Sequence, residues 1–274
     1  MALPTKHYPI HRLQRKELRA EHDCLVVEEP LEIRVNGLTL GVVMRTPGHD
    51  FELARGFLLS EGIFPTQEIN WHLPSLSIDW ARDEIGLEIP NVIECSAPDL
   101  ALDHVRACQR QMTATASCGI CGRASLERVR LHTLALNDSF TLARAVLQNL
   151  SPRIVAQQET FTATGGLHAA ALFNGNGEIA LVREDLGRHN AVDKVIGATL
   201  QARPHPLFDC GLWVSGRLSF EMAQKALLAG IPFVVAVSAA SSLAVDLAHA
   251  TGMTLVGFLR KESAAVYCGK QRII

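Results

Sequence analysis

The sequence predicts an α/β protein. Its larger, C-terminal part is a three-layer, mostly parallel sheet with helices on its faces, and a smaller α+β part precedes it. Three observations carry this. From about Ser125 onward a hairpin pattern is followed by helix and strand three times over, an alternation that lays parallel strands side by side and puts the crossovers on the faces. In the first third, Asn36-Gly37 separates two alternating runs, the strongest short-range hairpin signal because both turn residues tolerate positive φ. The chain has 274 residues, 48% of them hydrophobic, enough for a full core in one large domain or two ordinary ones. The expected division is a smaller domain over 1–110, a mobile loop over 111–125 and the larger domain over 126–274.

Along the chain, residues 11–23 are polar and rich in Arg and Glu and read as a solvated arm, with Arg12, Arg15, Lys16 and Arg19 available to a docking partner. From Cys24 the pattern turns β, through Leu31–Val35 and Leu38–Met44. Asp50 starts a helix with Phe51, Leu53, Ala54, Phe57 and Leu58 on its apolar face, and Gly62 ends it. Residues 70–95 read as irregular strands, and 99–117 as the lead into a loop. Helices follow at Leu126–Leu131 and Thr141–Asn149. Strands Ala169–Phe173 and Glu178–Arg183 flank the turn Asn174-Gly175-Asn176-Gly177. Then come helix Ala191–Leu200, strand Gly211–Ser215, helix Phe220–Ala229, strand Phe233–Val237, helix Leu243–Ala250 and strand Thr254–Leu259.

Net charge of -2 argues against bulk binding to nucleic acid, which needs a concentrated basic face. Met1–Arg15 carries no apolar h-region, so no signal peptide is expected. The uncharged run Ala226–Val245 is long enough for a membrane span, but Gly230, Pro232, Ser238, Ser241 and Ser242 interrupt it. It reads as helix end, buried strand and helix start. A cytoplasmic protein is the expectation. Seven cysteines at irregular spacing are not a secreted disulfide framework. Cys24, Cys95, Cys108, Cys210 and Cys268 are expected to be structural.

Two regions are dense in chemistry. Cys118-Gly119-Ile120-Cys121-Gly122 fits half a zinc site, a dithiol redox motif or a sulfur carrier. Zinc needs four ligands, and no second x-x-spaced pair is present. A redox motif sits at a helix start after a strand, which the preceding Thr113–Ser117 does not resemble. A carrier needs a reactive thiolate on an accessible arm, which a Gly-flanked loop supplies. The second region is a series of strand ends: Arg188-His189-Asn190, Ser215-Gly216-Arg217, Ser238–Ser242 and Leu259-Arg260-Lys261. Ligands bind α/β sheets at such ends. An Arg-His pair at the positive end of a helix dipole reads either as plain capping with a solvated first turn or, more in keeping with its charge, as the seat of a bound anion. Together they form a crevice suited to a phosphorylated ligand such as a nucleotide. Thr164-Gly165-Gly166-Leu167-His168 reads as a structural bend or a phosphate turn, and His249 as a core or surface histidine.

At these residues the chain resembles the formate dehydrogenase accessory sulfurtransferase family (FdhD). The resemblance rests on Thr46-Pro47, Gly56–Gly62, Ser117–Gly122, Glu184 through Gly197, Ser215-Gly216-Arg217 and Gly257-Phe258-Leu259-Arg260. It implies a sulfur carrier that takes a persulfide sulfur from a cysteine desulfurase. The sulfur passes to the molybdenum bis(molybdopterin guanine dinucleotide) cofactor before insertion into formate dehydrogenase. The family's persulfide cysteine falls on Cys118, with Cys121 as a second carrier or resolving thiol. Its cofactor-binding stretch falls on Gly257, Phe258, Leu259, Arg260, Lys261 and Glu262. Arg188, His189, Gly216, Arg217 and Ser238 complete the expected site, with GDP as a mimic of the cofactor. The resemblance further implies a homodimer and a larger domain similar to the cytidine deaminase fold. The metal ligands and catalytic carboxylate of a zinc deaminase are absent, so no resident metal is expected. A non-covalent cofactor chaperone is the alternative function. This chain departs from the family pattern at Ala240 and Ser241, and in its tail Cys268-Gly269-Lys270.

Overall fold

The structure, a computed structural model, describes residues 3–64, 76–109, 136, 139–203 and 206–274. Strand β1 (Thr5–Gln14) pairs antiparallel with β2 (Glu17–Val26) as a separate two-stranded ribbon. The polar arm expected over 11–23 is therefore the outer half of a hairpin. Its residues are largely exposed, and a ribbon without a buried face leaves no strong apolar alternation to read. Arg12 pairs with Glu21 and Asp23 across it.

The next unit is a four-stranded sheet in the order β4-β3-β6-β5. It comprises β3 (Glu29–Val35), β4 (Leu38–Arg45), β5 (Ser77–Arg82) and β6 (Glu88–Ser96). Asn36 and Gly37 turn the first hairpin with φ of 48° and 78°, the positive values a two-residue hairpin turn requires. Leu31, Ile33 and Val35 alternate onto one face. There they share a core with Leu53, Ala54 and Leu58 of helix α1 (Asp50–Ser60). Helix α2 (102–109) stands where the sequence predicts the lead into a loop. Only Val105 anchors it fully in this core, too little for a helical period to show.

The C-terminal sheet is six-stranded, in the order β12-β11-β10-β9-β7-β8. Its strands are β7 (His168–Asn174), β8 (Ile179–Asp185), β9 (Cys210–Val214), β10 (Phe233–Ala236), β11 (Thr254–Gly257) and β12 (Ala265–Cys268). Strands β9, β10 and β11 are parallel, but β7 pairs antiparallel with both β8 and β9, and β12 antiparallel with β11. The sheet is thus mixed, not mostly parallel. The 174–177 turn forces β7 and β8 antiparallel, and helix α5 (Arg188–Ala202) carries the chain past β7 to place β9 on its far side. Helices α6 (Phe220–Leu228) and α7 (Ser242–Thr251) then step the sheet onward in the same direction. Successive crossovers of one hand stepping one way put all three helices on one face.

Alternation along the strands fits that layering. Leu172, Leu212, Val214, Val234 and Leu255 face α5–α7. Phe173, Trp213, Phe233, Val235 and Val256 face helix α3 (Arg144–Val155) on the opposite side. The 226–245 run is divided among the end of α6, β10 and the start of α7. Among the described residues no helix is long and apolar enough to cross a membrane. The expected helix at Leu126–Leu131 lies outside the described residues. Helix α4 (Glu159–Thr164) and strand β12 go unread in the sequence, both being short.

The two units meet through α1 and α5. A Cβ on Gly56 would overlap the Asp193 carbonyl, and one on Gly197 the Glu52 carbonyl. The helices therefore cross backbone to backbone, at a distance only glycine permits.

Candidate functional site

Strands β8, β9, β10 and β11 point the same way, so their C-terminal ends share one edge with the start of β7. The loops beyond them are stitched together. The Ser215 hydroxyl oxygen accepts the Ala169 N–H at 2.9 Å and lies 3.2 Å from Nδ1 of His168. Leu218 donates to the Ala239 carbonyl and accepts from the Ser241 N–H, both at 2.9 Å. Phe258 N–H donates to the Ser238 carbonyl at 3.0 Å. This chain of bonds makes one rim from the expected strand ends.

Along the rim, Arg188 begins α5 behind the cap residue Gly187. A Cβ on Gly216 would stand 3.3 Å from Cδ of Arg188 and 3.7 Å from Cε1 of His168, so Gly216 lets all three close up. Nε of Arg188 and Nε2 of His189 are buried without a hydrogen-bond partner. Burial, then the Arg188 and Lys225 charges, push the His189 imidazole down to about 4. Burial and Arg188 also lower His168. Arg217, Lys261 and Glu262 are exposed. Arg260 Nη1 donates to the Val237 and Leu259 carbonyls at 2.6 and 2.8 Å, which ties the β10 and β11 loops together. Phe258 adopts φ of 51° with 46% of its surface exposed, a strained posture for a bulky residue. Leu259 belongs to the core under α3, so only its backbone reaches the rim. Gly257 sits against Tyr267 and the Ser238 carbonyl.

Beneath the rim lies a clamp not anticipated from the sequence. Buried Asp185 ion-pairs with Lys194 at 2.7 Å and accepts from the Gly187 N–H, the Asn190 amide and the Thr46 N–H. Lys194 donates to the Thr46 carbonyl at 2.9 Å, and Asn190 to the Met44 carbonyl at 2.8 Å. Thr46 of the N-terminal unit therefore fixes the turn that presents Arg188. Nearby, Lys225 donates to Asp193, Glu61 and Ser60 at 2.7 to 3.0 Å. Burial pushes the Lys225 ammonium down, and the two carboxylates outweigh it, so its pKa is raised. A charge on an otherwise apolar helix face is the one signal by which the sequence announces such groups.

A third link is Arg183, whose Nε and Nη2 bond Glu52 at 2.6 and 2.8 Å. Burial pushes the Glu52 carboxyl up, but Arg183 and then His49 outweigh it and hold it down at about 2. Its ionised form therefore stabilises the fold above the ordinary carboxylate pKa of about 4.3, and that stabilisation is lost as pH falls through the folded value. We expect Arg183→Gln to lower stability by about 1–2 kcal/mol at pH 7 and by almost nothing near pH 2. Urea unfolding at the two pH values checks this, and an equal loss at both would contradict it.

Cys118 and Cys121 lie outside the described residues. The five described cysteines are free. Burial pushes the thiols of Cys95 and Cys210 up to about 12 and about 11, which keeps both protonated. Among the described residues no group of three His, Cys, Asp or Glu is gathered to hold a metal. Gly165 caps α4 with φ of 68° ahead of β7. His249 is exposed.

Comparison with known proteins follows the same lines. The family model described as the FdhD/NarQ family matches residues 26–274. The sulfur carrier protein FdhD of Streptomyces coelicolor is 45% identical, with 100% of this chain and 97% of that protein covered. Its namesake in Mycobacterium tuberculosis is 45% identical with 100% of both covered. The one in Sulfurisphaera tokodaii is 38% identical, with 99% and 100% covered. The crystal structure of a candidate formate dehydrogenase accessory protein from Desulfotalea psychrophila shares the fold. Its TM-score is 0.75 at 23% identity, over 99% of this chain and 100% of that one.

Proposed function

The chain belongs to the FdhD/NarQ family, and from that membership we propose that it is a sulfur carrier serving formate dehydrogenase maturation. The Cys118 thiolate attacks the outer sulfur of a cysteine desulfurase persulfide. A new S–S bond forms at Cys118, the donor's S–S bond breaks, and the desulfurase thiolate leaves. Cys118 then passes the terminal sulfur to the substrate, a molybdenum bis(molybdopterin guanine dinucleotide) cofactor held at the strand-end rim. There Arg188, Arg217 and Arg260 meet its phosphates, and the edge near Ser238 and Phe258 meets guanine or pterin. In this reading the hairpin-led sheet is a deaminase-like scaffold that keeps a pocket without metal chemistry. The protein acts as a cytoplasmic homodimer.

One observation carries the proposal: the strand ends that contribute Ser215, Ser238 and Phe258 are hydrogen-bonded into a single edge, and Arg188 packs against that edge at Gly216. That edge bears an exposed aromatic and buried N–H groups without acceptors. Such an edge suits a ligand with phosphates and a flat base. Intact-mass spectrometry after incubation with a desulfurase and cysteine tests it. We expect a gain of one sulfur atom, localised to Cys118. No gain, with maturation still supported by a double Cys118→Ala/Cys121→Ala variant, would make the protein a non-covalent cofactor chaperone instead.

A further inference from the structure

Helix α5 opens with two potential cations, Arg188 and His189, and has no acidic residue in its first turn. Its positive dipole end repels the Arg188 charge and opposes protonation of His189 unless an anion is seated there. A third potential cation reaches the same spot from another element. His168 is the first residue of β7, its Cε1 lies beside Gly216, and Gly216 lies beside the Arg188 stem. Its ring is held at Nδ1 by the Ser215 hydroxyl, whose oxygen already accepts the Ala169 N–H. That hydroxyl can therefore donate to Nδ1, which leaves the ring proton on Nε2 as a donor. It can also rotate and accept from a protonated Nδ1–H, because a hydroxyl has two lone pairs. The ring can gain a proton without moving.

We propose that His168 is a phosphate-contacting residue of the rim together with Arg188 and His189, and that a phosphate seated there binds with uptake of a proton by these imidazoles. The inference rests on the rim being a nucleotide-type site.

The charges around the two rings set the direction. His168 faces Arg188, and burial and that charge lower its pKa. His189 faces Arg188 on its own helix, Lys225 and Glu221 on α6, and Glu61 just beyond α1. Lys225 is itself engaged by Asp193 and Glu61. A phosphate beside Arg188 offsets the repulsion that disfavours the charged rings, and a nearby opposite charge favours the protonated imidazole. The bound proton comes from solvent, so affinity rises as pH falls from 8 to 6.

The test is isothermal titration of the full-length protein with GDP, at pH 6.5 in two buffers of different ionisation enthalpy and again at pH 8. The wild type is expected to take up more protons than His168→Gln. His168→Gln is expected to weaken GDP about tenfold at pH 6.5 and less at pH 8. His168→Arg supplies a permanent cation, so it is expected to keep the affinity and flatten the pH profile. GDP's own phosphate ionisation is common to all three proteins and drops out of the comparison. Equal affinity and equal proton uptake in the wild type and His168→Gln would overturn the inference while leaving the rim as the nucleotide site. No GDP binding by the wild type would overturn both.

Discussion

Cys118→Ala is expected to abolish formate dehydrogenase maturation, lowering formate dehydrogenase activity at least about a hundredfold, while Cys121→Ala lowers it only several-fold. The asymmetry follows from thiol chemistry. A sulfur carrier needs a thiolate that can form and later release an S–S bond, and alanine offers none. Two other cysteines are poorly suited to stand in, because burial holds the thiols of Cys95 and Cys210 far above neutrality and only the thiolate attacks. Cys121, three residues from Cys118, can attack the inner sulfur of a Cys118 persulfide, forming a Cys118–Cys121 disulfide and releasing the outer sulfur as hydrosulfide. The several-fold loss is that of a secondary carrier; were Cys121 only a discharging thiol, its replacement would raise activity instead. Formate-dependent dye reduction in cells relying on each variant checks this. Equal, mild effects of both substitutions would contradict the assignment of Cys118 as the carrier.

The second large effect concerns stability. Lys225→Met is expected to destabilise the protein by about 3–5 kcal/mol, because it leaves the fully buried Asp193 carboxylate without its cation. Asp193 keeps only the Ser60 hydroxyl, at 2.6 Å, which cannot offset a buried negative charge. For a chain of this size the melting temperature should fall on the order of 10 °C. The double variant Lys225→Met/Asp193→Leu should recover most of the loss, since replacing both partners of a buried ion pair by apolar groups is far less costly than removing one. Scanning calorimetry of the three variants decides it. A single-variant shift under about 2 °C would mean that Asp193 is not carried as a buried carboxylate. Because Lys225 joins α6 to Ser60 and Glu61 at the end of α1, the same variant should loosen the N-terminal unit from the sheet.

Several elements were legible because a local pattern is sufficient to fix them. Asn36-Gly37 selects its turn through backbone freedom, and Asn174–Gly177 does the same for β7 and β8. The 226–245 run, apolar enough to suggest a membrane span, carries Gly230, Pro232 and Ser241 where α6 has ended and α7 begins. The rim was legible for the same reason: small residues and arginines recur just after strands β8, β9 and β11. Less legible were elements whose stability comes from elsewhere in the chain. Helix α2 is held by Val105 in a core made largely by other segments. The β1–β2 ribbon is held by pairing with itself.

The sequence alone determined which residues could turn, cap, alternate or carry charge, because those properties reside in the side chain and its immediate neighbours. Only the tertiary structure decided that β7 lies between β8 and β9, which made the sheet mixed. It also decided that Thr46 clamps Asp185 from 139 residues away, that Asp193 meets Lys225, and that His168 stands beside Arg188. Each depends on register and burial between distant segments. A polar group removed from water must find a partner somewhere, but the local sequence does not say which one.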